Sequence, residues 1–96
     1  MKEIILLKIL SGLKRINSIT KFHKFIYFLT YYEVPNLEFK FKQHEYGPYS
    51  FELQDYIDQY EEEGLIRIEK NFNKKIIFAN DLKIKDFFQD LNFLKQ

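Results

Sequence analysis

The sequence predicts an α+β domain with the order of a winged helix-turn-helix: helix, helix, strand, helix, hairpin, helix. Three observations lead to it. Apolar residues recur at helical spacing through Phe22, Phe25, Ile26, Leu29 and Tyr32, and the spacing switches at Leu37 to strict alternation. The turn Tyr46-Gly47-Pro48-Tyr49 then hands this extended segment to a new helical stripe, Leu53, Tyr56, Ile57 and Tyr60. Beyond Gly64, two short apolar runs flank Asn71-Phe72-Asn73-Lys74, the pattern of a β-hairpin.

Each element has its own signals. Lys2 to Leu13 is apolar around more than one stripe, so this helix is expected to be largely buried or to lie in a dimer contact. Ser18 is placed to cap a helix from Ile19 to Glu33, whose outer face would hold Lys21, Lys24 and His23; Val34-Pro35-Asn36 stops it. Leu37, Phe39 and Phe41 alternate with Glu38, Lys40 and Lys42, which predicts a half-buried strand inserted before the third helix. Gly47 supplies unusual dihedrals and Pro48 fixes its own φ. Ser50 can cap the third helix, Phe51 to Glu63, and Glu52 puts negative charge in its first turn. Gly64 suits a left-handed stop. The hairpin of residues 66–79 is the expected wing, with asparagine taking positive φ at its turn. Asn80 or Asp81 would cap a last helix, Leu82 to Leu94.

The 96 residues form one domain, 1–96, with hydrophobic residues at 46% and charged residues at 30%, a globular rather than disordered profile. Lys, Ile, Phe, Tyr and Asn share AT-rich codons, so base composition accounts for part of the aromatic content of 19%. With no cysteine, disulfides, thiol nucleophiles and cysteine zinc sites are excluded. The apolar run Ile4 to Leu7 is broken by Lys8 and is too short for a membrane span, so a cytoplasmic protein is expected.

The net charge of +1 hides segregation along the chain. Residues 1–44 carry eight Lys or Arg against three acids, while residues 45–64 carry seven acids and no Lys or Arg. Residues 65–80 carry four basic residues against Glu69 alone. A partner would meet distinct basic and acidic faces rather than an averaged surface.

Two stretches are familiar together. Lys21-Phe22-His23-Lys24-Phe25-Ile26-Tyr27-Phe28-Leu29 resembles the opening helix of the Panacea (SocA-like) antitoxin domain and of related small archaeal and bacterial winged-helix proteins. Tyr46-Gly47-Pro48-Tyr49-Ser50-Phe51-Glu52-Leu53 resembles their YGPxSxEL turn, and Glu63-Gly64-Leu65-Ile66 the end of the following helix. The resemblance covers residues 20–66. It implies a winged-helix-like fold and a regulatory or interaction role, with no catalytic residues.

The residues themselves point the same way. His23 and His44 stand in no metal-ligand spacing, Ser50 is not in a nucleophile elbow, and the glycines form no phosphate loop. The acids from Glu52 to Glu63 read as a solvated helix face, so neither catalysis nor a cofactor is expected. One expectation is DNA association of a transcription-regulator kind, with phosphates held by Lys21, Lys24, Arg67, Lys70, Lys74 and Lys75. The third helix would not serve as a recognition helix, because carboxylates repel phosphates. The other expectation is a protein-interaction module, antitoxin-like or an adaptor. It would dock a basic partner on Glu52, Asp55, Asp58, Glu62, Glu63 and Tyr49. Tyr31 and Tyr46 are further candidates for exposed interface tyrosines. A homodimer is expected through Ile5, Leu6, Leu10, Phe87, Phe88, Leu91 and Leu94 of the terminal helices.

Overall fold

Four helices pack around two small antiparallel sheets. The computed structural model describes the backbone of residues 2–95 and the side chains of residues 2–91. Helix α1, Lys2–Leu13, ends at Lys14, whose φ of 65° turns the chain into strand β1, Arg15–Ile16. Helix α2, Ile19–Phe28, runs on as one wide π turn, Leu29–Glu33, and a 3-10 turn, Pro35–Leu37. Strands β2, Lys42–His44, and β3, Gly47–Tyr49, form a small hairpin that feeds helix α3, Phe51–Glu62. Strands β4, Ile66–Asn71, and β5, Lys74–Ala79, form the larger hairpin, with β1 on the outer edge of β5. Helix α4, Asp81–Lys95, follows.

The caps sit where their residue types require. Ser18 Oγ accepts from the Lys21 N–H, and Ser50 Oγ accepts from the Leu53 N–H at 3.1 Å. Asn80 Oδ1 accepts from the Lys83 N–H and begins α4. Gly64 closes α3 at φ 76°, with Leu65 N–H donating to Tyr60 C=O and Gly64 N–H to Glu61 C=O. Ser50 is completely buried, so its hydroxyl has no water to fall back on. Ser50→Ala is therefore expected to cost about 1–2 kcal/mol of stability, read as a lower denaturant midpoint at unchanged slope.

The core joins every helix to the larger hairpin. Leu6, Leu7 and Leu10 of α1 meet Phe22 and Ile26 of α2, Leu53, Ile57 and Tyr60 of α3, Ile77 of β5 and Ile84 of α4, all essentially inaccessible. Each such aliphatic side chain contributes about 1.5–3 kcal/mol by leaving water. The Tyr60 hydroxyl donates to the Glu3 carbonyl at 3.1 Å. Burial, reinforced by the nearby charge of Glu3, pushes this phenol well above its ordinary range and keeps it a donor.

Several expectations are corrected here. Residues 37–42 alternate in burial as foreseen, with Leu37 and Phe39 buried and Glu38, Lys40 and Lys42 exposed. Residues 37–41 do not form a strand, because no neighbouring strand completes a ladder until Lys42; the 3-10 turn closes at Glu38, in the left-handed region, and irregular chain follows. The Tyr46-Gly47-Pro48-Tyr49 stretch is mostly strand, and the reversal falls at Glu45-Tyr46. On α2 the buried line is Phe22, His23, Ile26 and Thr30, so Phe25 and Tyr32 are exposed at 41% and 68%. The positive φ of the larger hairpin, 57°, belongs to Phe72 rather than to an asparagine.

Of the two expectations for the first helix, burial holds. Leu6 and Leu10 are buried in the chain's own core, and Ile5, Phe87 and Phe88 pack partly against it. Leu91 is half-buried, and Leu94 lies outside the described side chains. Leu13 and Leu82 of these helices are exposed, and four further large exposed apolar side chains gather on α2 and its π turn, at Phe25, Phe28, Tyr31 and Tyr32.

Candidate nucleic-acid interface

A buried polar chain fixes the arrangement of α2, β3 and α3. His23 is 1% exposed, although its place among lysines in the sequence suggested the surface. Its Nδ1 accepts from the Ser50 backbone N–H at 3.1 Å, so the proton resides on Nε2 and is donated to Gln54 Oε1 at 3.0 Å. Gln54 Nε2 in turn donates to Asp58 Oδ1. The ring stacks on Tyr49 at 4.4 Å, and Tyr49 stacks on His44 at 4.8 Å. Burial lowers the His23 pKa below its ordinary 6.5, the Gln54 hydrogen bond works in the opposite direction, and the charge of His44 lowers it further. Tyr49 is raised, first by burial and then by Asp58 and Asp55.

This geometry defines what the Ser50 and His23 pair does. The imidazole bonds the serine's backbone N–H, while the hydroxyl is occupied as a helix cap. It is a structural clamp between two helices and not a nucleophile with its base. Among the described residues no group of three or more metal-ligating side chains is gathered.

The larger hairpin carries the basic residues outward. Its register pairs Lys70 with Lys75 and Asn71 with Lys74, leaving Phe72 and Asn73 at the apex. Like charges directly opposite one another are unfavourable in a ladder; the adjacent acid, Glu69, is paired with Arg67. Phe72 is 92% exposed. Between the apex, the start of α2 and the outer face of α3 lies a polar cleft of about 480 Å³. Asn73, Lys74 and Lys75 form one wall, Ser18 and Thr20 another, and Gln54 and Asp58 a third.

The other basic residues are elsewhere. Arg67 lies over the Phe78 ring at 4.4 Å and is paired with Glu69. Arg15 approaches the same ring at 5.3 Å, so two guanidiniums flank one aromatic across the sheet; only Arg67 was foreseen. Lys21 borders a shallow groove with Leu13, Arg15 and Phe25. Lys24 lies against Gly47, and neither Lys21 nor Lys24 lines the cleft beside the hairpin. The structure thus brings Lys70, Lys74 and Lys75 together and sets Lys21, Lys24 and Arg67 apart from them.

The acids of α3 remain outward. Glu52, Asp55, Asp58, Glu62 and Glu63 are exposed, with Glu52 in an ion pair with Lys2 at 2.9 Å. Tyr49 is half-buried in its stack between His23 and His44 and borders the cleft beside the hairpin. No helix among the described residues is long and apolar enough to cross a membrane. Comparison with known proteins returns no match to a family model, to a curated protein or to a solved structure.

Proposed function

We propose that this chain is a non-enzymatic, winged-helix-type regulatory protein that associates with DNA through the β4–β5 hairpin as its wing. The observation that carries the reading is the gathering of Lys70, Lys74 and Lys75 at the hairpin tip, with Lys70 opposite Lys75 in register and the one neighbouring acid in sequence, Glu69, paired with Arg67. A polyanion seated there relieves the repulsion among them and releases counterions. Helix α3 takes no part in reading bases, since its exposed face is acidic and would face phosphates with like charge. Contacts of this kind position a protein on DNA without selecting a sequence.

A titration against duplex DNA at several salt concentrations tests this. Lys70→Ala with Lys74→Ala and Lys75→Ala is expected to weaken binding roughly tenfold or more and to lower the salt slope by about three. The loss should be equal across unrelated sequences. Reversal of Glu62 and Glu63 to lysine should strengthen binding. Absence of duplex affinity at low salt would overturn the reading.

A second reading is favoured by one specific feature, the exposed aromatic surface of α2 and its π turn. Tyr27 contacts Phe28, Tyr31 and Phe41, and Phe28 contacts Tyr32, making a continuous patch of rings. Tyrosine and phenylalanine are enriched at protein interfaces. Under this reading the chain is a protein-interaction module, antitoxin-like or an adaptor, or a homodimer joined through this face. The acidic α3 would then receive a basic partner. Glu62→Lys with Glu63→Lys would abolish that binding, and the hairpin lysines would be dispensable.

A further inference from the structure

The apex of the larger hairpin carries two local costs with no return inside the chain. Phe72 has φ 57°, the left-handed region that disfavours a bulky side chain by about 1–2 kcal/mol. Asparagine tolerates this conformation much better, and asparagines stand on both sides of it. The Phe72 ring is also 92% exposed, so its apolar faces gain nothing from the core. A hairpin shaped for stability alone would place asparagine or glycine at this position. Strained backbone and an exposed aromatic coincide at the turn of the hairpin, whose last ladder positions on either side carry Lys70, Lys74 and Lys75.

We infer that Phe72 is a base-stacking residue: its ring packs on a nucleobase while the flanking lysines hold the neighbouring phosphates. The inference rests on the nucleic-acid reading above and deepens it. Every base presents a π face, so an aromatic ring framed by cations fits a base framed by phosphates. Asn71 and Asn73 add amide donors and acceptors beside the ring. The same arrangement suits a bilayer poorly. One ring offers little apolar area, and insertion would carry two asparagine side chains out of water at a cost. The stacked base can be an unpaired one, or one at a duplex step that the ring wedges apart.

The test uses the full chain and oligonucleotides containing an adenine analogue whose fluorescence reports stacking. The probes are an intact duplex, the same duplex with one unpaired base, and a single strand; anionic phospholipid vesicles form a separate arm. Phe72→Ala and Phe72→Leu are expected to weaken binding roughly tenfold at unchanged salt slope and to remove the fluorescence change. Phe72→Tyr should retain both, because it keeps the ring. Since the side chain is exposed, truncation leaves the core intact. A signal confined to the unpaired base and single strand identifies stacking on an exposed base, and a signal in the intact duplex identifies a wedge; either supports the inference. Salt-dependent binding that Phe72→Ala leaves unchanged would overturn the inference while sparing the DNA reading. Retention of full affinity by Phe72→Leu, or vesicle binding that depends on Phe72, would also overturn it. No nucleic-acid binding by the wild-type chain would remove both.

Discussion

Valine in place of Gly47 is expected to lower the melting temperature by on the order of 10 °C or more. Gly47 has φ 120°, in a mirror-image extended region that side-chain-bearing residues avoid. Forcing it there costs about 1–3 kcal/mol, and each kcal/mol moves the midpoint of a domain this size by roughly 4–8 °C. A Cβ at this position would also lie 3.1 Å from Lys24 Cε, but that is the end of a flexible side chain and can yield. Backbone strain, not the steric contact, therefore dominates. Gly47→Ala should show most of the same loss, and relieving the contact with Lys24→Ala should rescue little of it. The damage would spread, because Gly47 pairs with His44 at the start of β3, and β3 delivers Tyr49 and Ser50 to His23. A melt unchanged by valine would mean that the hairpin can be redrawn without this conformation.

His23→Ala is expected to be at least as damaging, at about 2–4 kcal/mol. It leaves a cavity against Tyr49 and removes the partners of the buried Ser50 N–H and of Gln54. The same residue gives stability a pH dependence of definite sign. The fold holds His23 below its ordinary value of 6.5, so the unfolded chain binds the proton more readily. Stability is complete above about pH 6.5 and falls as the pH drops from there through the folded-state value. A proton on Nδ1 would abolish the bond from Ser50, the group that starts α3. The phenol of Tyr49 stacked on the ring, the exposed His44 beside it and the carboxylate of Asp58 beyond Gln54 are the other titratable groups along this chain of contacts. Urea unfolding at a series of pH values, with and without His23→Ala, measures the effect. An equal slope in both proteins would show that His23 is not its source.

Much of the framework was legible in the residues. The ends of α1 and α3, the serine caps at Ser18 and Ser50, the stop at Gly64 and the hairpin over residues 66–79 follow from local chemistry. Caps and turns are satisfied within a few residues of where they occur. The basic character of the hairpin was equally visible, because charge is a property of the residue itself. What escaped was relational. Arg15–Ile16 is too short to show a period and is a strand only because β5 lies beside it. Residues 37–41 have the pattern of a strand but no neighbour to pair with; pairing starts only at Lys42. Phe72 was hidden by an aromatic content that base composition partly explains, and its importance lies in exposure and φ.

Sequence alone therefore determined the four main helical segments, the ends of α1 and α3, and how charge is divided between an acidic helix and a basic hairpin; that the second helix widens to a π turn at Leu29 was not among them. Those properties depend on side-chain type and spacing over a turn or two. Only the tertiary structure decided that His23 faces inward, that Leu6, Leu7, Leu10 and Ile84 of the terminal helices are buried within the chain, and that Phe72 is exposed at the turn between the hairpin lysines. A histidine is polar by type, and His23 can leave water only because Ser50 and Gln54, distant along the chain, supply one donor and one acceptor at hydrogen-bonding distance.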